Sequence, residues 1–498
     1  MRVANDSAAP VSYEELVAEN ARLRAADEQH RIENEALVAL VGRLEARVAD
    51  LERRLGQNSG NSGLPSSRDT AKERQRQAEE RQRRREQKVT AKPRKKGKQK
   101  GAAGFGPKQT PNPDEVIVYR PEQCSGCGED LAGVEGQVQA RRQVIDLPEP
   151  KPVVIEHQAI ACGCSCGATT IGVFPTGVRS PVSFSPQVRA VVVYLLARQH
   201  IPVERVQETM ADLYGLSVSK GAINSFYTDA SRRLAPFIAA LVALLRTLGV
   251  LHADETTDRV GTDTCWMHVL STRTYTFIHA SMTRGADAIS EMGVLANYTG
   301  VVIHDRLALY WKFKKARHGL CGAHLLRDLE EVGAVASQRE WASGLARLLL
   351  AINKACDQAR LAGHLRLAPT LVRDFTARYD THVADSLAAN PDPASGRKRN
   401  YYERKSYNLA TAFATHKKPI LRFMNDLDTP LTNNQAERDL RPGKIHRKVS
   451  GCFRTLAGAQ RHADVRSYLS TTRKNNIPAI TALTDLFNDN PWMPPQAA

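Results

Sequence analysis

Between Gly249 and Asp305 the hydrophobic period turns strand-like, and two acids fall where apolar runs stop. No other stretch restricts the architecture as tightly. GVLHADETTDRV carries an apolar strand into Asp254-Glu255. TCWMHVLSTRTYTFIHA (Thr264–Ala280) predicts two strands joined by a Ser-Thr-Arg-Thr turn. ADAISEMGVLANY has a helical period, and TGVVIHD predicts another buried strand terminating at Asp305.

Strand, strand, strand, helix, strand, with one acid in the first strand and another ending the fourth, is the order of a ribonuclease-H-like fold. Carboxylates so placed converge at the edge of the sheet despite a sequence gap of 51. Such oxygen ligands suit two divalent ions about 3.5–4 Å apart, with one carboxylate bridging both. A third acid normally closes the site. Glu437 in LTNNQAERDLRP is the best candidate, because Asn433-Asn434 can cap a helix and Glu437 lies three residues inside it. Arg438 and Arg441 flank it at helical spacing, placed to face phosphate. Taken singly, each acid reads equally well as solvated surface; their conjunction carries the argument.

The formal charge of +17 is concentrated in one place. Arg68 to Lys108 holds sixteen Lys/Arg against five Asp/Glu, a segment that attracts the phosphate backbone of double-stranded DNA. Its Lys, Gly and Pro content cannot bury enough apolar surface to order alone, so it reads as a flexible linker. Upstream, Leu16, Leu23, His30, Leu37, Leu44 and Leu51 recur every seven residues, beside a companion seam of Asn20, Asp27, Asn34, Val41, Val48 and Leu55. A heptad of that length predicts a coiled coil that makes the chain at least a dimer. Gly56–Asp69, GQNSGNSGLPSSRD, breaks the helix.

Five of the nine cysteines lie within Cys124–Cys166, a distribution of metal ligands rather than of disulfides. Cys124-Ser-Gly-Cys127-Gly is a metal knuckle, and Cys162-Gly-Cys164-Ser-Cys166-Gly supplies the second half 35 residues after Cys127. Four of these five thiolates predict a structural Zn²⁺: Cys124, Cys127 and Cys166, with either Cys162 or Cys164. The intervening VQARRQVIDLPEPKPVVIEHQAIAC alternates like strands. Ser185–Leu234 reads as three helices with a short GLSVS turn, as in a helix-turn-helix, which would place Ser219, Lys220, Asn224 and Ser225 at a major groove.

These pieces together are similar to the insertion-sequence-66-type transposases of bacteria. The resemblance rests on the heptad start, NSGNSGLPSSRD, CSGCG, LHADET, VIHDRLALY, CGAHLLRDL, TNNQAERDLRP and the following HRKVSG, and runs essentially end to end. It implies an Asp-Asp-Glu set, Asp254, Asp305 and Glu437, that binds two Mg²⁺ (or Mn²⁺) ions and catalyses DNA transposition. It also implies binding to element ends and target DNA, and accessory proteins from the same element. Arg438, Arg441, Arg447 and Lys448 are the candidates for holding strands near the metals.

The expected layout is multidomain, α+β and α/β. It comprises a coiled coil (11–57), a basic linker (58–112), a zinc-binding domain (113–180), a helix-turn-helix-like domain (181–240), a ribonuclease-H-like catalytic domain (245–480) and a C-terminal tail (481–498). An all-helical insertion spans about 330–429, with Trp341–Ala362 and much of Pro369–Ala389 helical. Cys321 and His324, spaced Cys-x-x-His beside Arg327, could bind metal or orient DNA, but read as structural because no second ligand pair is apparent. Cys265, Cys356 and Cys452 read as small buried residues. The N-terminus lacks signal-peptide features and no uncharged apolar run reaches the roughly 18 residues of a membrane span, so the expected location is the cytoplasm, at the nucleoid. Two other readings share these features: a structure-specific nuclease on the same fold, and a zinc-containing DNA-binding regulator without catalysis.

Overall fold

The computed structural model describes Arg22 and residues 108–175, 177–178, 180–392 and 399–496. Apart from Arg22, the predicted coiled coil and linker residues 58–107 lie outside the described residues. The described chain falls into two compact units, one ending at Asp146 and the other beginning at Leu147.

The first unit is built from turns rather than regular elements. Gly128 takes φ 78°, which an L side chain rarely adopts, and its N–H closes the Cys124 turn by donating to the Cys124 carbonyl at 2.9 Å. Gln123 and Asp130 bridge across that turn. The strands expected between the two cysteine groups do not form. Residues 137–146 here, and 147–160 at the start of the second unit, have no paired strand, and Val144, Val153 and Val154 are exposed. Pro148, Pro150 and Pro152 deprive every second residue of an N–H, which leaves one edge of that segment without donors.

In the second unit a small hairpin of β1 (Ala161–Gly163) and β2 (Thr169–Ile171) precedes a run of helices. These are α1 (Pro186–Val193), continued by a wider π turn over Tyr194–Arg198, then α2 (Val203–Tyr214), α3 (Lys220–Arg233) and α4 (Ala235–Thr247). Gly215, left-handed at φ 62°, ends α2, and Ser219 caps α3 by accepting from the Ala222 N–H at 3.1 Å. Then come β3 (Val250–Val260), β4 (Asp263–Ser271), β5 (Thr276–Ser281), α5 (Ala286–Glu291), β6 (Val301–His304) and β7 (Arg317–Leu320). They form one mixed sheet in the order β5-β4-β3-β6-β7, antiparallel on the β3–β5 side and parallel where β6 joins β3 and β7 joins β6. The expected helix after β5 is short, stopping before Gly293, which sits at φ 69°.

Helices then dominate. They are α6 (Gly322–Gly333), α7 (Arg339–Leu361), α8 (Pro369–Ala388), α9 (Tyr401–Thr415), α10 (Lys417–Ile420), α11 (Arg422–Asn425), α12 (Asn434–Val449), α13 (Leu456–Lys474) and α14 (Ala479–Phe487). The segment read as a C-terminal tail is therefore corrected. Ala482, Leu483, Leu486 and Phe487 lie on one face of α14 and are buried, because the apolar period of AITALTDLF is helical.

Three apolar clusters organise this unit. Leu251 and Ala253 of β3 and Phe277 of β5 share one cluster with α1–α4, α13 and α14, so the first helices and the sheet are packed on a common core. Cys265, Met267, Val269 and Ile278 face Ala436 and Leu440 of α12 and Ala459 and Ala463 of α13. A separate cluster joins α6 to α11 through Trp341, Leu348, Tyr379 and Phe413. Successive residues of a strand point to opposite faces. With Leu251 and Ala253 turned to the first cluster, His252 and Asp254 are turned toward α12. No helix among the described residues is long and apolar enough to cross a membrane.

Candidate active site

The pairing of β3 with β6 runs up to the segments that carry the two aspartates. β3 pairs β6 in parallel through Val250↔Val301, Leu251↔Val302 and His252↔Ile303. Asp254 lies two residues beyond the last of these pairs on β3, and Asp305 directly follows the end of β6. The third acid arrives on α12, which packs across β3 and β4. Its position is set by Asn433, whose backbone caps the helix but whose side chain is spent elsewhere. The Asn433 amide donates to the Ala253 carbonyl at 2.8 Å and its Oδ1 lies 3.0 Å from His252 Nδ1, while its N–H donates to Cys321 Sγ at 3.1 Å. The expected cap is thus a clamp between helix and strand.

A second close approach supports that clamp. The Gly322 N–H donates to the Leu431 carbonyl at 2.7 Å, and a Cβ at Gly322 would meet Leu431 Cδ1 at 2.3 Å. Only glycine lets the start of α6 sit against the segment that leads into α12.

The electrostatics of the three acids are uneven. Asp254 is pushed up to about 7, first by burial and then by the charges of Glu255, Asp305 and Glu437, against one stabilising N–H from Glu255 at 2.9 Å. Asp305 Oδ1 accepts from the Leu307 N–H at 2.8 Å. Glu437 Oε1 is buried with no hydrogen-bond partner, and near it lie an Arg327 guanidinium nitrogen at 3.7 Å and His324 Nδ1 at 3.9 Å. Three carboxylates with little compensating charge are a donor set that fits hard divalent cations.

Glu255, adjacent to Asp254, is not part of that set. It points to the other face of β3, where Arg284 donates to Oε1 at 2.7 and 3.0 Å and the Tyr310 hydroxyl donates to Oε2 at 2.7 Å. Asp439 is likewise committed, to a buried ion pair with Lys474 at 2.7 Å that ties α12 to α13.

Of the candidate strand-holding residues on α12, Arg438, Arg441 and Lys448 are exposed and Arg447 is half-buried, its charge felt by buried Asp258. Arg438 donates to Gln435 at 2.7 Å. Next to Asp305, Arg306 pairs with Asp328 and borders a cleft of about 250 Å³ that Arg404, Lys405 and Tyr401 also line. Nothing in the sequence alone links those three to Asp305, because they come from α9 in the helical segment.

Ser219, Lys220, Asn224 and Ser225 are all exposed on the first turns of α3. Lys220 pairs with Glu204 of α2 at 2.9 Å and the Asn224 amide donates to the Lys220 carbonyl at 3.0 Å. In the first unit, N–H groups of Cys127 and Gly126 hold the Cys124 thiol below its usual value. In the second, Cys164 is held low in the same way, first by the Cys166 N–H, and the Gly167 N–H donates to the Cys164 carbonyl at 2.9 Å with Gly167 at φ 87°. Each turn is a small cradle for thiolate, and Cys162 lies outside the second one, on β1. Cys265 and Cys356 are buried as expected; Cys452 is exposed, because the turn at Gly451 (φ 83°) sends Phe453 rather than Cys452 into the core.

With that geometry in view, comparison with known families is decisive for the class. The model of the Transposase IS66 family matches residues 181–461, more than half of the chain. The chain belongs to that family and is a transposase by descent. A second model, a Family of unknown function (DUF6444), matches residues 6–106. No curated protein matches the chain.

Proposed function

We propose that this transposase is of the Asp-Asp-Glu kind, with a ribonuclease-H-like catalytic domain interrupted by the α7–α9 helices, and that it cleaves element ends and joins them to target DNA. One observation carries the reading: Asp254 sits on β3 and Asp305 directly follows the neighbouring parallel strand β6, while Asn433 ties the start of α12, which carries Glu437, to β3. Asp254, Asp305 and Glu437 would hold two Mg²⁺ or Mn²⁺ ions. When bound, those ions supply Lewis acidity to the attacking and leaving oxygens of an in-line phosphoryl transfer. The protein's share is to fix three carboxylates in one pocket and to line its approach with cations. Arg438, Arg441, Arg447 and Lys448 on α12, together with Arg306, Arg404 and Lys405 at the cleft, are assigned to phosphates of the bound strands. Ser219, Lys220, Asn224 and Ser225 are assigned to reading element ends, and the coiled coil to dimerisation. Cys124, Cys127, Cys164 and Cys166 are assigned to a structural Zn²⁺; the two matching turns favour Cys164 over Cys162.

The test is incubation of the full-length protein with candidate element ends, target plasmid and Mg²⁺, with product ends mapped. The expected outcome is free 3′ ends joined to target DNA, lost in Asp254→Asn with end binding retained. Cleavage without joining would point instead to a nuclease, and cleavage by Asp254→Asn would refute the assignment of the acids.

A further inference from the structure

Cys321 and His324 lie one helical turn apart at the start of α6, a spacing that puts both on one face. A lone Cys-x-x-His lacks enough ligands for a metal. Folding supplies the missing one from a residue more than a hundred positions away. Ligand atoms of Cys321, His324 and Glu437 all lie within 4.8 Å of one another. Two of the three are also unsatisfied: His324 Nδ1 and Glu437 Oε1 are buried without hydrogen-bond partners. The third, Cys321 Sγ, accepts from the Asn433 N–H at 3.1 Å, while burial, foremost, and the nearby Glu437 charge hold its thiol above the usual value, so an incoming cation has to offset that cost.

We infer that Cys321, His324 and Glu437 form a second cation site, for an ion of the zinc class, which shares Glu437 with the proposed magnesium cluster. Sulfur, imidazole nitrogen and one carboxylate make a borderline-soft donor set that prefers Zn²⁺ to Mg²⁺. Bonds of about 2.0–2.3 Å set ligand atoms roughly 3.5 Å apart around a tetrahedral ion, so side-chain shifts on the order of 1 Å close the site. His324 and Glu437 are the mobile members, with 35% and 26% of their side chains exposed. Arg327 is 63% exposed, free to turn away from Glu437. Binding releases the Cys321 proton to solvent as the thiolate joins the ion. Zinc held here withdraws Glu437 from the hard-cation set and switches off the transposase. That consequence, unlike the site itself, rests on Glu437 being the third acid.

The experiment counts zinc in full-length protein equilibrated with Zn²⁺ and then desalted. The cysteine turns contribute equally to every variant. Wild type is expected to retain about one more zinc per chain than Cys321→Ser or His324→Ala, and zinc should inhibit Mg²⁺-supported end cleavage with half-inhibition raised about tenfold or more in His324→Ala. Equal zinc content in wild type and both variants overturns the site. Because Cys321 is buried, His324→Ala decides should Cys321→Ser fail to fold. Asp254→Asn separates the two readings: it should keep the extra zinc while losing cleavage. Were Asp254→Asn to cleave, the acid assignment would fall and the zinc count would still judge this site.

Discussion

Replacing Asp254 by Asn should stabilise the metal-free protein even as it removes catalysis. The native carboxyl rises from an ordinary 3.8 to about 7 because it is buried among Glu255, Asp305 and Glu437. A carboxyl raised on folding is protonated in the folded chain at pH values where the unfolded chain has already lost its proton. The stability it contributes therefore falls as pH climbs between those two values and stays low above the higher one. At about 1.4 kcal/mol per tenfold change in proton affinity, the limiting cost above pH 7 is roughly 4 kcal/mol, and solvent reaching the half-buried group brings it to about 1–3 kcal/mol. Asn keeps the bond from the Glu255 N–H and carries no charge. Denaturant melts of wild type and Asp254→Asn in EDTA at pH 5 and pH 8 would measure the difference, with other titrating groups common to both. The variant should gain on wild type as pH rises, and added Mg²⁺ should narrow the gap at pH 8 by stabilising only the intact set. A variant no more stable than wild type at pH 8, or a gap that ignores pH, would refute the crowding of negative charge on which the site depends.

Asn433→Ala removes the ties to His252 and Ala253 together, so it should destabilise the protein by about 3 kcal/mol in denaturant melts and reduce cleavage more than end binding. Glu255→Gln leaves the half-exposed Arg284 and the Tyr310 hydroxyl beside a neutral partner, and a loss of about 1–2 kcal/mol is expected, against no measurable loss if Glu255 were a solvated acid. Removing residues 1–55 should yield monomers by light scattering; an unchanged oligomer would place the dimer contact elsewhere.

The strands were legible because their periods are local. Val250–Ala253 and Val301–His304 are short apolar runs that only a buried strand explains, and the acids at their ends follow from counting. The parallel pairing of β3 with β6 follows from the same reading, and it leaves Asp254 and Asp305 just past the paired residues. The failures share a cause. Residues 137–160 alternate like strands, but alternation states only which face would be buried, and the prolines leave nothing to pair with. The last helix was missed because nine residues at the end of a chain look dispensable until α13 and α1 offer it a groove.

Glu437 lies between these extremes. Its helix could be read from Asn433-Asn434, yet a cap predicts only that a helix starts, not where it is delivered. Delivery depends on His252, Ala253 and Cys321 all meeting Asn433, and on Gly322 permitting the approach of Leu431. Those contacts join stretches separated by more than a hundred residues, and none has a period or spacing to betray it. The same contacts explain why Cys-x-x-His looked incomplete: the third ligand proposed for it, Glu437, is carried in by the clamp. On the proposed assignments, one asparagine positions both the third acid and the third zinc ligand, because both are Glu437 on the helix that it ties to β3.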